Sequence, residues 1–337
     1  MNSVNQHAMQ WPARSGKRVR AGLLALAVIL AALDANAQTY PTKQITVVSS
    51  ASPGSSGDAA LRMMAVKMTE SMGQPVIVDL RTAARGAQAY AIVSKAAPDG
   101  HTVTFGTAGT FVYGRFLFKN MAFDILKDYS PISMSLNSPG YIAIHNSRGI
   151  NTMQELISYA KKNPGKLEYG TTGNGSFFHL AGESLKNAAG IDLLHVPYAQ
   201  ANFPQLTTDW LNGRVAMFYT TWATIRPAQD KVKLLAVIDK QRSRHTPTVP
   251  TVSEVLPGYE PFVVWWGFFG PLGLPSNIAN RIAQESKKAM MQPDITPRLD
   301  DLGLEIIGST PDELAKLLRE DVNAIGKVVK AIGLQPE

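Results

Sequence analysis

From Tyr40 onward, apolar runs of strand length alternate with stretches whose apolar residues recur at helical spacing, which leaves few folds open to the chain. Ile45-Thr46-Val47-Val48 precedes a helix expected over about 59–72, in which Leu61, Met64, Ala65 and Met68 share one face. Val76-Ile77-Val78, a helix over about 88–97 and a strand over 102–105 complete a βαβαβ half. The segment 131–144 reads as an extended crossing interrupted by Ser138-Pro139-Gly140, and a second half follows. There the spacing predicts helices at 153–162, 177–189 and near 203–211, with strands at 167–169, 193–196, 215–219 and 234–237. Phe262-Val263-Val264-Trp265-Trp266 reads as the return crossing. Helices at 277–291 and 311–332 close the chain, the second opened by Thr310 with Asp312 and Glu313 in its first turn.

The turns between these elements carry the chemistry. At 166–185 the chain reads K-L-E-Y-G-T-T-G-N-G-S-F-F-H-L-A-G-E-S-L. Here a short strand enters a turn of Gly170, Thr171, Thr172, Gly173, Asn174 and Gly175, and Ser176 caps the next helix. Glycines fold the backbone tightly with N–H groups inward, and the helix start adds unpaired donors and partial positive charge, so a carboxylate fits without a lysine. A similar unit stands at Ala51-Ser52-Pro53-Gly54-Ser55-Ser56-Gly57-Asp58, and Gly106-Thr107-Ala108-Gly109-Thr110 makes a third small polar turn. In parallel sheets such turns gather at the carboxyl ends of strands, where open α/β folds bind ligands. Two facing mouths would make a cleft; the competing reading is of ordinary βα turns.

The first residues have a different character. Arg14, Lys17, Arg18 and Arg20 precede the 13-residue apolar run 21–33 and then Asp34-Ala35-Asn36-Ala37-Gln38, the pattern of a secretory signal cut after Ala37. The run is too short to span a bilayer as a helix. Removing 1–37 takes away four Lys/Arg and one Asp, which lowers the formal net charge from +7 to +4. The remaining excess is scattered, at Lys161-Lys162, Lys287-Lys288, Arg242 and Arg244, and gives nucleic-acid binding no support. With no cysteine, neither a disulfide nor a lipidated N-terminal cysteine is available.

Catalytic and metal signatures are missing. The six histidines stand singly, without acidic clusters at metal-ligand spacing, so no metal is expected. No G-x-S-x-G occurs, and neither glycine turn carries the lysine of a P-loop or completes G-x-G-x-x-G, so no cofactor is expected. His179 reads first as a pin for the turn's backbone and second as a ligand contact; Asp58 reads first as a first-turn acid and second as a general base.

Ten pieces in order carry a resemblance: Y-P-T-K-Q-I at 40–45, P-G-x-x-x-D at 53–58, A-P-D-G-H-T at 97–102, N-P-G-K-L at 163–167 and T-G-N-G-S-x-x-H-L-A-G-E at 172–183. The rest are H-V-P-Y at 195–198, V-P-T-V-S-E at 249–254, P-G-Y at 257–259, W-G-x-x-G-P-x-G-x-P at 266–275 and G-S-T-P-D-E-L at 308–314. On these the mature chain resembles the Bug-type periplasmic solute receptors of tripartite tricarboxylate transporters. The resemblance implies an α/β, two-lobed, type II-like binding protein without catalysis, each lobe a sheet flanked by helices, with two crossing segments as hinge. It implies lobe 1 at 38–138 plus 263–337 and lobe 2 at 139–262, a small organic carboxylate as ligand, membrane permease subunits as partners and a monomeric receptor. Carried over residue by residue, the site is Ser52, Pro53, Gly54, Ser55, Ser56 and Asp58; Thr107, Ala108 and Thr110; and Thr172, Gly173, Asn174, Gly175, Ser176 and His179. To these the resemblance adds Trp265.

Several positions depart from the family pattern. Phe177-Phe178 stand where small polar residues usually precede the histidine, Tyr219-Thr220-Thr221-Trp222 stand near the usual aspartate, and Arg85 replaces a glycine. Aromatic walls from Phe177, Phe178, Tyr219, Trp222, Trp265 and Trp266, with an Arg85 guanidinium, favour an aromatic mono- or dicarboxylate. The competing reading packs these rings under the loops and leaves Arg85 in solvent. An exported α/β enzyme using His179 and Asp58, or a receptor serving a sensor, are the alternatives in function. The leader predicts an exported protein that begins at Gln38, and N-terminal sequencing of secreted material that returns Met1 would overturn it.

Overall fold

Capped helices and β-branched strands alternate through the chain as the spacing requires. The computed structural model describes residues 40–82, 87–119, 121–174, 176–198 and 202–335. The expected leader with its cut after Ala37, and Arg85 and Gly175, lie outside these residues.

The first half runs β1 (Ile45–Ser49), α1 (Ser56–Met72), β2 (Val76–Leu80), α2 (Ala87–Ser94) and β3 (Thr102–Thr107). A π-helical turn (Gly109–Tyr113) and α3 (Gly114–Leu117) lead to β4 (Tyr129–Asn137) and β5 (Gly140–His145). The second half runs α4 (Met153–Lys162), β6 (Glu168–Thr171), α5 (Phe177–Ala189), β7 (Leu194–Pro197) and α6 (Phe203–Leu211). Next come β8 (Met217–Thr221), α7 (Trp222–Ile225), β9 (Val232–Val237) and α8 (Val252–Val255). The chain finishes with β10 (Trp265–Pro271), α9 (Ser276–Met290), α10 (Thr296–Asp301), β11 (Glu305–Ile306) and α11 (Pro311–Ala331).

Local chemistry sets the helix ends. Ser55 accepts from Asp58 N at the start of α1, and Gly73, at φ 71, closes it with its N–H on Thr69 O. Thr310 and Glu313 form the reciprocal capping box of α11. The helical face read from the sequence, Leu61, Met64, Ala65 and Met68, is buried.

The strands form two sheets, β11-β4-β10-β3-β1-β2 and β7-β6-β8-β5-β9, which make the fold two-lobed. In the first, β1 pairs parallel with β2 and β3, while β10 and β4 add antiparallel. In the second, β6 pairs parallel with β7 and β8, and β5 lies antiparallel between β8 and β9.

The chain passes from β4 to β5 through only Ser138 and Pro139, and it returns through 238–264. The two crossings are tied together. Ser138 N donates to Val264 O at 2.7 Å, Ile238 N to Gly140 O at 2.9 Å and Phe262 N to Ile238 O at 2.8 Å. Asn137 Nδ2 adds a bond to Asp239 Oδ2 at 2.8 Å, where burial pushes the Asp239 carboxyl up against the opposing help of Asn137. On one flank, Arg226 Nη1 meets Asp301 Oδ1 at 2.6 Å and Arg244 meets Asp300, pairing the elements that follow β8 and β9 with those beside β11. Both pairs are about half exposed, so each contributes at most about 1 kcal/mol.

Two expectations are corrected here, both through strand phase. The strand read as 215–219 is β8, Met217–Thr221, because pairing with β5 continues to Gly140 opposite Thr221. Tyr219 therefore lies mid-strand opposite Ile142, fully buried, and Thr220 is 1% exposed. The return crossing becomes strand at Trp265, so successive side chains of β10 point to opposite faces. Trp265 turns to α11, where it is fully buried and its Nε1 donates to Asp321 Oδ2 at 3.0 Å. Neither Tyr219 nor Trp265 offers surface to a solute.

Inside the second lobe, Tyr169, His195 and His179 stack in a column, with centroids 4.9 Å and 4.2 Å apart. Thr171 Oγ1 and His195 Nε2 are 2.7 Å apart, and Glu183 receives Tyr169 OH at 2.5 Å and Lys186 Nζ at 3.1 Å. Burial pushes Glu183 up, but its bonds from Tyr169 and Lys186 outweigh this and hold it below the usual carboxylate range. Burial, then the neighbouring His179, push His195 down to about 4.

A histidine with a lowered folded pKa leaves the unfolded chain binding more protons between its ordinary value and about 4. Stability therefore falls as pH drops through that window. His195→Gln should flatten this part of the melting-temperature profile relative to the unsubstituted protein; parallel profiles from pH 7 to 4 would refute the assignment.

Candidate functional site

The first-lobe loop after β1 is built by its own side chains. Ala51 N donates to Ser49 Oγ at 3.2 Å and Ser55 N to Ser52 O at 3.0 Å, and Gly54 takes a φ of 77 that favours glycine. Asp58, buried at 4% exposure, accepts from Gly54 N at 2.9 Å with Oδ2 and from Arg62 Nε at 2.8 Å with Oδ1. One of its oxygens holds the loop and the other an arginine one turn along α1, which favours the structural of its two readings. Ser52, Pro53 and Gly54 are exposed, and Ser55 and Ser56 are half-buried, at the start of α1.

The second first-lobe turn differs from the small polar loop read in the sequence. β3 runs on to Thr107, and Thr110 lies inside the π-helical turn with its N–H on Thr107 Oγ1 at 3.4 Å. Ala108 is buried. Tyr90, which the sequence does not single out, and Trp266, expected only as one of the aromatic walls, bind these turns together. Tyr90 of α2 places its hydroxyl 2.6 Å from Ser50 Oγ, and burial pushes it up to about 12 against the help of Ser50 and Thr110. Trp266 pairs with Thr107 in the β10–β3 ladder, stacks on Phe105 at 5.5 Å and lies against Gly57, where an added Cβ would come within 2.4 Å of the ring. The tryptophan beside the first-lobe turns is thus Trp266, one residue from the one expected. Only the phase of β10 signals this.

The second-lobe turn closes on itself in the same way. Gly173, at φ 112, donates from N to Thr171 Oγ1 at 3.3 Å and accepts from Ser176 N at 3.2 Å, while Ser176 Oγ caps α5 by accepting from His179 N at 3.2 Å. Thr172 is half-buried and Asn174 exposed. His179 stacks on His195 with Nε2 4.0 Å from Glu183 Oε1, so it holds the start of α5 in place. Helix geometry gives the first-turn amides of Phe177 and Phe178 no intrahelical partner, an arrangement that in general suits an anion.

The lobes meet through the aromatic pair that departs from the family pattern. Phe177 lies edge-to-face on Tyr113, at the end of the π-helical turn, with centroids 5.0 Å apart, and on Phe262 of the return crossing at 5.7 Å. Phe178 backs it at 5.0 Å. The first residue of α5 therefore meets the last residue of the π-helical turn, and the strand before that turn is joined through Trp266 to Gly57 at the start of α1. Among the described residues no group of three or more His, Asp or Glu is placed to hold a metal. A pocket of about 400 Å³ opens elsewhere, between the start of α4 and β9, and none of the turn residues lines it.

Three comparisons bear on this arrangement. The family model described as tripartite tricarboxylate transporter family receptor matches residues 60–334. A protein from Pseudomonas sp. strain P51, named for the tcbD-tcbE intergenic region, is 32% identical over 318 residues, covering 93% of each chain. Among solved structures, Rpa4515 of R. palustris with adipate superposes with a TM-score of 0.75 at 27% identity, covering 88% of this chain and 100% of its own. MatC of Rhodopseudomonas palustris with bound malate gives 0.70 at 28%, covering 86% and 100%. A two-lobed fold and a family match over most of the chain agree: this protein belongs to the tripartite tricarboxylate transporter receptor family.

Proposed function

We propose that this protein captures a small organic carboxylate between its lobes in the periplasm and delivers it, as a monomer, to the permease subunits of a tripartite tricarboxylate transporter. The observation that carries the reading is the contact of Phe177, the first residue of α5, with Tyr113 of the π-helical turn, which sets the start of a helix in one lobe against the other. Adipate in one relative and malate in another support the ligand class. The leader pattern supports export, and no helix among the described residues is long and apolar enough to cross a membrane. Strand membership supports the lobe boundaries of 38–138 with 263–337 and of 139–262.

Within the class we favour an aromatic mono- or dicarboxylate. Phe177 and Phe178 support this, because they keep part of their surface beside the turn, and so does the guanidinium that Arg85 contributes to the sequence. Tyr219 and Trp265 no longer contribute to the argument.

A thermal-shift screen of aliphatic and aromatic mono- and dicarboxylates should raise the melting temperature for a binding acid, by an amount set by RT ln(1 + [L]/Kd). Aromatic acids should give the larger rise, and Arg85→Ala should weaken an aromatic dicarboxylate more than its monocarboxylate analogue; response to aliphatic acids alone would refute the aromatic preference.

Gly173→Val forces a β-branched residue into a φ of 112, where a Cβ also meets Tyr198 O at 3.2 Å. Affinity should fall at least about tenfold, roughly 1.4 kcal/mol, with the fold retained by circular dichroism. Unchanged calorimetric affinity would remove this turn from the site.

A further inference from the structure

We infer that Phe177 is the spacer between the lobes that sets which length of carboxylate the cleft accepts, an inference that rests on the carboxylate-receptor reading. Phe177 is the first residue of α5, so its ring is rigidly coupled to the Ser176 cap and to the first-turn amides proposed to grip the anion. The ring is wedged. Tyr113 and Phe262 meet it at 5.0 and 5.7 Å, and Phe178 stands behind it at 5.0 Å.

The opposing surface is fixed. Tyr113 is 1% exposed, stacks on Phe262 at 6.0 Å with 15° between planes, and donates its hydroxyl to Val263 O at 3.3 Å. Phe262 is itself tied by its N–H to Ile238 O in the crossing pair. Side chains packed this way do not yield to compression, so approach of the α5 turn to the first-lobe turn stops when the two rings touch. The closest separation of the two turns is then the width of one aromatic ring, and a solute with a carboxylate at each end must match it. A smaller residue at 177 lets the turns come nearer and shifts the preference to shorter diacids; a larger one shifts it to longer diacids.

The absence of native cysteine allows the distance to be read directly. Val66 of α1 and Lys161 of α4 are both exposed, one in each lobe. In a Val66→Cys, Lys161→Cys background carrying spin labels, the inter-label distance distribution is measured for the unsubstituted Phe177 protein, Phe177→Ala, the milder Phe177→Leu and Phe177→Trp. The measurement is made without solute and with each linear α,ω-dicarboxylate from malonate to suberate, and calorimetric dissociation constants are taken for the same acids.

The expected result is a shorter or broader distance for Phe177→Ala, a smaller change in the same direction for Phe177→Leu, and an optimum moved by at least one methylene towards shorter acids. Phe177→Trp should move the optimum the other way. Distances that coincide in the folded variants, or an unchanged order of affinities, would overturn the spacer role. If none of these diacids binds the unsubstituted protein, the role in choosing ligand length fails, the solute-free distances still decide whether Phe177 holds the lobes apart, and the carboxylate reading is decided separately by the thermal-shift screen that includes aromatic acids.

Discussion

The hydrogen-bonded pair of crossing segments is the constraint on which the rest of this structure depends. Only Ser138 and Pro139 separate a strand of one sheet from a strand of the other, and a short link of this kind fixes where the two sheets meet. The return segment is held against it by Ser138 with Val264 and Gly140 with Ile238. Because Phe262 lies in that return segment, the aromatic contact of Tyr113, Phe262 and Phe177 inherits its position from the crossing. One apolar cluster accordingly runs from Tyr90 and Phe111 through Phe262 and Trp265 to Tyr169 and Leu180.

The candidate site uses almost no charge. Asp58, Ser55, Thr171 and Ser176 direct their oxygens at neighbouring backbone amides, and the turn geometry persists because those bonds are made inside each loop. Each is worth about 1 kcal/mol net, and its loss would leave a polar group unpartnered at a part-buried place. What turns of this kind offer an anion is the start of a helix, whose donors are oriented before any solute arrives. That arrangement suits a receptor, which must bind and release without chemical change.

The aromatic surplus has a different use from the one its abundance suggests. Trp265 and Tyr219 are fully buried, each adding on the order of 1.5–3 kcal/mol of apolar burial to a lobe interior. Trp266 stacks on Phe105 beneath the first loop. Phe177 reaches from the second lobe to Tyr113 of the first and to Phe262 of the return crossing, and its neighbour Phe178 supports it.

The sequence by itself determined the βα alternation, the glycine turns with their caps at Ser55, Ser176 and Thr310, and the crossing at Ser138-Pro139-Gly140. These depend on short-range spacing and on residues whose backbone preferences act locally. It also determined the family, through short motifs in a fixed order. Tertiary structure alone decided which aromatic faces which way. A two-residue shift of β8 took Tyr219 from the expected mouth into the core, because cross-strand pairing with Gly140 and Ile142 sets its register. A one-residue alternation along β10 gave Asp321 to Trp265 and Gly57 to Trp266. Asp58, whose partners Gly54 and Arg62 are each four residues away, was legible as a structural acid, whereas the contacts of Phe177 with Tyr113 and Phe262 lie far apart in sequence and only packing brings them together.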